Sequence, residues 1–317
     1  MYHAVAPGPG DYFGPDVFEQ QVRFLKSRFH LIGPQESRKV RSRRDNIDVL
    51  LTFDDGFLNN ALYVVPILKR HQAPAVFFIS TRHCEGRRPL WFAYLSALSR
   101  WFAEASLKLD GRAFDMRPQE RKRSVRELRE YLLSLRPHPR AMYDKIEQGL
   151  PSLESFAPQE YISDHYAGMT WDHIRDIARD PLFEVGVHTV DHPYLTLCDD
   201  AEMESQMAVN RSELERVTGK RISAIAYPGG DYDARVVATC MDLGFEQRYA
   251  VDIRRVTGDG RQRTKDARRG TKGRRRTKDE GPGIDIPRIG IYKPSLSILG
   301  FKVQWGNILR RTPLRFG

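Results

Sequence analysis

The chain has 317 residues, with 51 Lys+Arg against 41 Asp+Glu for a formal net charge of +10; 40% of residues are hydrophobic and 29% charged. That mix excludes a disordered or fibrous chain and suits one large α/β domain or two smaller ones. The excess charge is local: residues 254–280 hold twelve Lys/Arg and four acids, a net of +8, so the remainder is nearly neutral, and a nucleic-acid partner is disfavoured.

The chain opens in a strand-like segment, Tyr2-His3-Ala4-Val5, followed by a helical pattern over 15–29. Short apolar, β-branched runs at 49–53, 75–79, 183–187, 222–227 and 286–291 predict buried strands of a parallel sheet. Helical patterns at 59–71, 124–135, 170–179, 199–218 and 233–243 alternate with them, with Thr170 as an N-cap and Gly219 and Gly244 as C-terminal stops. This is the rhythm of βαβ units, and a barrel or an open sheet both fit it. Residues 101 to about 168 break the rhythm and predict a helical insertion, a lid over one end of the sheet. Residues 254–283 are almost devoid of apolar side chains and predict a disordered basic loop. The tail over 295–317 reads as an amphipathic helix that covers the core or meets anionic lipid through Phe301, Trp305 and its arginines.

Three cysteines, Cys84, Cys198 and Cys240, with no CxxC, predict reduced buried thiols. No apolar run is long enough to span a membrane, and the first residues lack a signal-peptide pattern, so the sequence as written is expected to be cytoplasmic and soluble, an expectation that residues missing upstream of Met1 would change.

Three features carry chemistry. Thr52-Phe53-Asp54-Asp55-Gly56 puts two carboxylates at the end of a buried strand, where α/β folds build sites, although Asp-Asp-Gly is also ordinary turn chemistry. His188-Thr189-Val190-Asp191-His192 follows the strand at 183–187, with two imidazoles spaced to face one ion. Tyr227-Pro228-Gly229-Gly230 ends another strand, and its glycines let backbone amides approach a ligand. Two imidazoles and a carboxylate form a usual ligand set for a divalent catalytic metal, leaving the second carboxylate free as a general base.

These residues resemble the polysaccharide deacetylases, the nodulation-type (NodB-homology) group of carbohydrate esterases, in a bacterial exopolysaccharide-type branch. Thr52–Gly56 looks like their first motif and His188–His192 their second; Tyr2–Val5, Met169-Thr170-Trp171, Ala226-Tyr227-Pro228 and Pro287-Arg288-Ile289-Gly290 are similar to that branch. The resemblance covers roughly residues 1–95 and 165–292. It implies a distorted (β/α) barrel of about seven parallel strands in one catalytic domain over 1–294, and metal-dependent removal of N-acetyl or O-acetyl groups from an N-acetylated oligo- or polysaccharide or its precursor. By motif position Asp54 is the base, and Asp55, His188 and His192 hold a divalent metal, zinc first, with cobalt or nickel as alternatives. Thr189 positions the histidine loop. Tyr227, Pro228, Gly229, His3 and Arg288 support the site or bind substrate, with a backbone amide near Gly229 for the oxyanion. Two departures stand out: the arginine of the family's third motif is absent, and no histidine follows His192 to serve as the late general acid. They leave open a second class of function, a catalytically degenerate carbohydrate-binding or scaffold protein on the same fold.

Overall fold

The computed structural model describes residues 1–8, 13–37, 47–86, 88–251, 285–288, 290–291 and 299. The loop expected over 254–283 lies outside the described residues, as does the tail expected over 295–317 apart from Leu299.

Six parallel strands form the central sheet: β1 (Leu51–Phe53), β2 (Ala75–Ile79), β3 (Phe183–Val187), β4 (Ala224–Ala226), β5 (Gln247–Val251) and β6 (Asp285–Arg288), in the order β6-β5-β4-β3-β2-β1. The register pairs Phe53 with Phe77, Phe77 with Val185, Val187 with Ile225 and Ala226 with Tyr249. The sheet curls until its two ends meet the N-terminal segment. Tyr2 N–H donates to the Thr52 carbonyl at 2.8 Å and the Tyr2 carbonyl accepts from Asp54 N–H at 3.0 Å, while Ile291 N–H, just past β6, donates to the Met1 carbonyl at 3.0 Å. The fold is thus the expected distorted barrel, with six strands among the described residues where about seven were expected. The seventh position belongs to the N-terminal segment, which makes a single bridge, Tyr2 to Phe53, in place of a ladder.

Alternation along the strands separates two apolar layers. Ala75, Phe77 and Ile79 join the large core beneath the helices, whereas Val76 and Phe78 cluster with Ala224, Ala226 and Tyr249 inside the curl. The outer layer is supplied by α1 (Pro15–Arg28) and α2 (Val65–Arg70), and by later helices whose ends carry the signals read from sequence. Thr170 caps Trp171–Arg179 through a capping box with His173, and Gly219 closes Asp200–Thr218 at φ 66°.

Between β2 and β3 the chain builds a second apolar core from α3 (Trp91–Trp101), α4 (Arg121–Ser134), α5 (Arg140–Gly149) and α6 (Gln159–His165). Ala4 and Phe57 from the barrel's mouth belong to this core, which fixes it over that end of the sheet. The insertion is not purely helical. Ser106–Leu109 and Arg112–Asp115 form an antiparallel hairpin around Asp110-Gly111, both at positive φ, with Leu107, Leu109 and Phe114 buried beneath it. Asp-Gly flanked by alternating apolar residues is a hairpin signal, and here it overrides the helical composition around it. Among the described residues no helix is long and apolar enough to cross a membrane.

Candidate metal centre and acid–base pair

The functional side chains stand where β1, β3, β4 and β6 end. Asp54 and Asp55 follow β1 directly; Asp54 points into the curl and Asp55, at φ 76°, turns the chain toward Gly56 at φ 83°. Asp55 is fully buried, and its backbone carbonyl accepts from His83 Nε2 at 2.9 Å and from Ser80 N–H at 3.1 Å. Burial pushes the His83 imidazole below its ordinary value, so it serves as a neutral donor.

His188 and His192 lie on a tight loop after β3, and Thr189 and His192 both adopt positive φ, 67° and 52°. For a β-branched threonine that conformation is strained and persists only where the surroundings over-determine it. They do so here. Thr189 Oγ1 accepts from His192 N–H at 3.1 Å, Asn210 Oδ1 accepts from His188 N–H at 3.2 Å, and Ser80 Oγ donates to the His188 carbonyl at 2.8 Å. Thr189 thus makes a hydrogen bond within its own loop.

His188 Nδ1 sits 2.8 Å from the Ala226 carbonyl. A carbonyl only accepts, so Nδ1 carries a proton, and Nε2 is the ring nitrogen that faces the site. Asp55 Oδ1 lies 3.4 Å from Nε2 of both His188 and His192. Neither Asp55 oxygen has a hydrogen-bond partner although both are buried, and His192 Nδ1 is likewise unpaired. Burial drives the His192 imidazole down to about 3, which leaves it neutral. A buried carboxylate whose oxygens receive no hydrogen bond is costly by itself. One ligand atom from each of Asp55, His188 and His192 lies within 4.8 Å of the others, so the three could hold a divalent cation, which would supply the missing charge.

Asp54 has a different partner. Its Oδ1 accepts from Arg288 Nη1 at 2.5 Å, and both side chains are almost fully buried. Burial pushes the Asp54 carboxyl up, but the Arg288 guanidinium, through its charge and its hydrogen bond, is the foremost of the neighbours that outweigh burial and hold it below the ordinary range. β1 and β6 are the two ends of the hydrogen-bonded strand order, so this ion pair spans the seam of the barrel. Among the described residues, Arg288 Nε and Nη2 have no hydrogen-bond partner, and the guanidinium lies 5.2 Å from the centre of the Phe78 ring. Although the third motif carries no arginine, one reaches Asp54 from β6.

The remaining expected residues surround this centre. His3 neighbours Asp54 and Asp55, and its carbonyl accepts from Asn60 Nδ2 at 2.9 Å. Tyr227 and Pro228 are buried, and Tyr227 stacks on Tyr232 at 5.0 Å. Gly229, at φ 61°, lies under Tyr194, whose Cε1 would be 2.5 Å from any Cβ placed there. Three positions were not anticipated from sequence: His83, Asn210 and Gln206. A signal for two of them existed, since Gln206 and Asn210 interrupt the stripe of Met203, Met207, Leu214 and Val217 with polar residues where the helical period calls for apolar ones.

Residues 41–110 and 156–247, just over half of the chain, match the family model described as polysaccharide deacetylase. No curated protein matches the chain in sequence. Among solved structures the chain is similar to that of IcaB from Ammonifex degensii (18% identity, 78% of this chain and 81% of that one, TM-score 0.51). It is also similar to BC0361, a polysaccharide deacetylase from Bacillus cereus (16% identity, 96% and 67%, TM-score 0.53). At these identities the structural likeness speaks to the fold.

Proposed function

The chain belongs to the polysaccharide deacetylase family, and from that premise we propose that it hydrolyses the acetyl groups of an N-acetylated polysaccharide or its precursor, N-acetyl before O-acetyl, in a metal-dependent reaction. The observation that carries this reading is the division of the two adjacent carboxylates: Asp55 faces His188 and His192 with both oxygens unpaired, while Asp54 is held apart by Arg288. Asp55, His188 and His192 would hold the metal, zinc first, with cobalt or nickel as alternatives. Bound there, such an ion supplies a nucleophilic water at neutral pH and polarises the acyl carbonyl.

The rest of the chemistry falls to side chains of this chain. Asp54, kept ionised by Arg288, accepts a proton from the attacking water. Arg288 keeps its Nε and Nη2 donors for an acyl or sugar oxygen, since buried donors without partners favour a ligand that supplies an acceptor. Cleavage of the C–N bond releases acetate and an amine that needs a proton. With no histidine after His192, we assign that proton to Asp54, which has just received one. The turn at Gly229 offers its backbone amide to the developing oxyanion.

The test is acetate release from chito-oligosaccharides together with metal content, for the wild type and Asp54→Asn. The expected result is about one metal per chain in both proteins and a loss of turnover of at least 10²-fold in the variant. Full activity in Asp54→Asn rejects the assigned base. Metal and oligosaccharide binding without turnover in the wild type selects the degenerate carbohydrate-binding reading.

A further inference from the structure

The loop that presents His192 is gripped from outside the barrel. Asp191, the residue before it, engages every polar group it has. Its N–H donates to Gln206 Oε1 at 2.8 Å, its Oδ2 accepts from Gln206 Nε2 at 2.6 Å, its Oδ1 accepts from Arg82 Nη1 at 2.7 Å and its carbonyl accepts from Tyr143 Oη–H at 2.8 Å. The His192 carbonyl accepts from Trp91 Nε1 at 2.9 Å, and the Phe92 ring lies 4.7 Å from the imidazole. These contacts interlock: Tyr143 Oη accepts from Trp91 N–H at 3.2 Å, and the Arg82 guanidinium lies 3.4 Å over the Tyr143 ring while bonding Glu147 of the same helix.

Trp91 and Phe92 belong to α3, and Tyr143 and Glu147 to α5. Helix α5 falls within residues 111–155, which the family model leaves unmatched. We propose that this inserted helix is part of the metal centre, with Tyr143, and Trp91 beside it, acting as positioning residues that fix the peptide on either side of His192 and so aim its imidazole at Asp55. The proposal rests on the reading of Asp55, His188 and His192 as metal ligands. Its physical basis is the strain at Thr189 and His192: a loop held at positive φ at two residues relaxes when the bonds that over-determine it are removed. Relaxation moves Nε2 of His192, and metal affinity falls.

Tyr143→Phe keeps the ring beneath Arg82 and removes only the hydroxyl. Tyr94→Phe is the matched control, because its hydroxyl is in the same insertion but donates to the Pro151 carbonyl at 2.8 Å, away from the loop. Full-length, metal-stripped protein is titrated with Zn²⁺ against a chromophoric chelator, and the absorption spectrum of the Co²⁺-loaded protein is recorded. The expected result is Zn²⁺ affinity weakened about 10-fold or more in Tyr143→Phe, with altered Co²⁺ bands. Tyr94→Phe keeps wild-type affinity and spectrum at a similar loss of unfolding stability. Equal affinity in wild type and Tyr143→Phe overturns the proposal, as does equal weakening in both variants. A wild type that binds no Zn²⁺ overturns the metal reading beneath it.

Discussion

Replacing Arg288 by leucine tests the ion pair that links the last strand to the first functional carboxylate. The side chains of Arg288 and Asp54 are 4% and 3% exposed and meet at 2.5 Å. Leucine fills much of the apolar volume beside Phe78 but leaves the Asp54 charge buried without its main partner, next to the equally buried Asp55. Breaking a buried pair from one side costs about 3–5 kcal/mol. The sign of the titration follows from the same geometry. Arg288 is the largest influence holding the Asp54 carboxyl down against burial; without it burial prevails and the carboxyl titrates at higher pH. Equilibrium urea unfolding of the wild type, Arg288→Leu, Asp54→Asn and the double variant, at one fixed metal concentration, closes a double-mutant cycle. The expected coupling exceeds about 1 kcal/mol, with Asp54→Asn recovering much of the loss in the Arg288→Leu background. The acid limb of kcat/KM against pH moves upward in Arg288→Leu and partly returns in Arg288→Lys. Additivity within about 0.5 kcal/mol together with an unmoved acid limb refutes the role assigned to the pair.

Two further predictions follow from conformation and burial. Gly56→Ala places a Cβ at φ 83° only 2.7 Å from Ile79 Cγ2, so strain and overpacking together cost about 2–4 kcal/mol; a denaturation midpoint equal to that of the wild type contradicts this. His138 is buried with both ring nitrogens unpaired, and burial first, with the Arg136 charge added, drives its imidazole down to about 4. The unfolded chain therefore takes up its proton first as pH falls, so stability declines from about pH 6.5 down to about 4, by at most about 1.4 kcal/mol per unit from this group. His138→Gln removes that part of the slope, and parallel stability–pH curves for the two proteins exclude it.

The motifs were legible because each is contiguous and lies where a buried strand ends. Asp54 with Asp55, and His188 with His192, are readable as chemistry before any coordinates are seen, and Thr170, Gly219 and Gly244 mark helix ends through local backbone physics. The Asp110-Gly111 hairpin was equally local, yet the Arg- and Glu-rich composition around it pointed to helix, and the turn residues prevailed. Gln206 and Asn210 were half legible: the helical period shows that they face inward, but not that the histidine loop is what they meet.

What the sequence by itself determined is the alternating α/β plan, the strand ends and the two motifs, because hydrophobic period and turn chemistry act over a few residues. What only the tertiary structure decided is how distant residues meet. The barrel closes through Met1 and Ile291 with six strands and a bridge. Arg288 reaches Asp54 across 234 positions of sequence. Tyr143, on a helix outside the family match, grips the residue before His192. The curl of the sheet and the docking of the insertion set these contacts, and both result from the packing of whole elements, which no local pattern encodes.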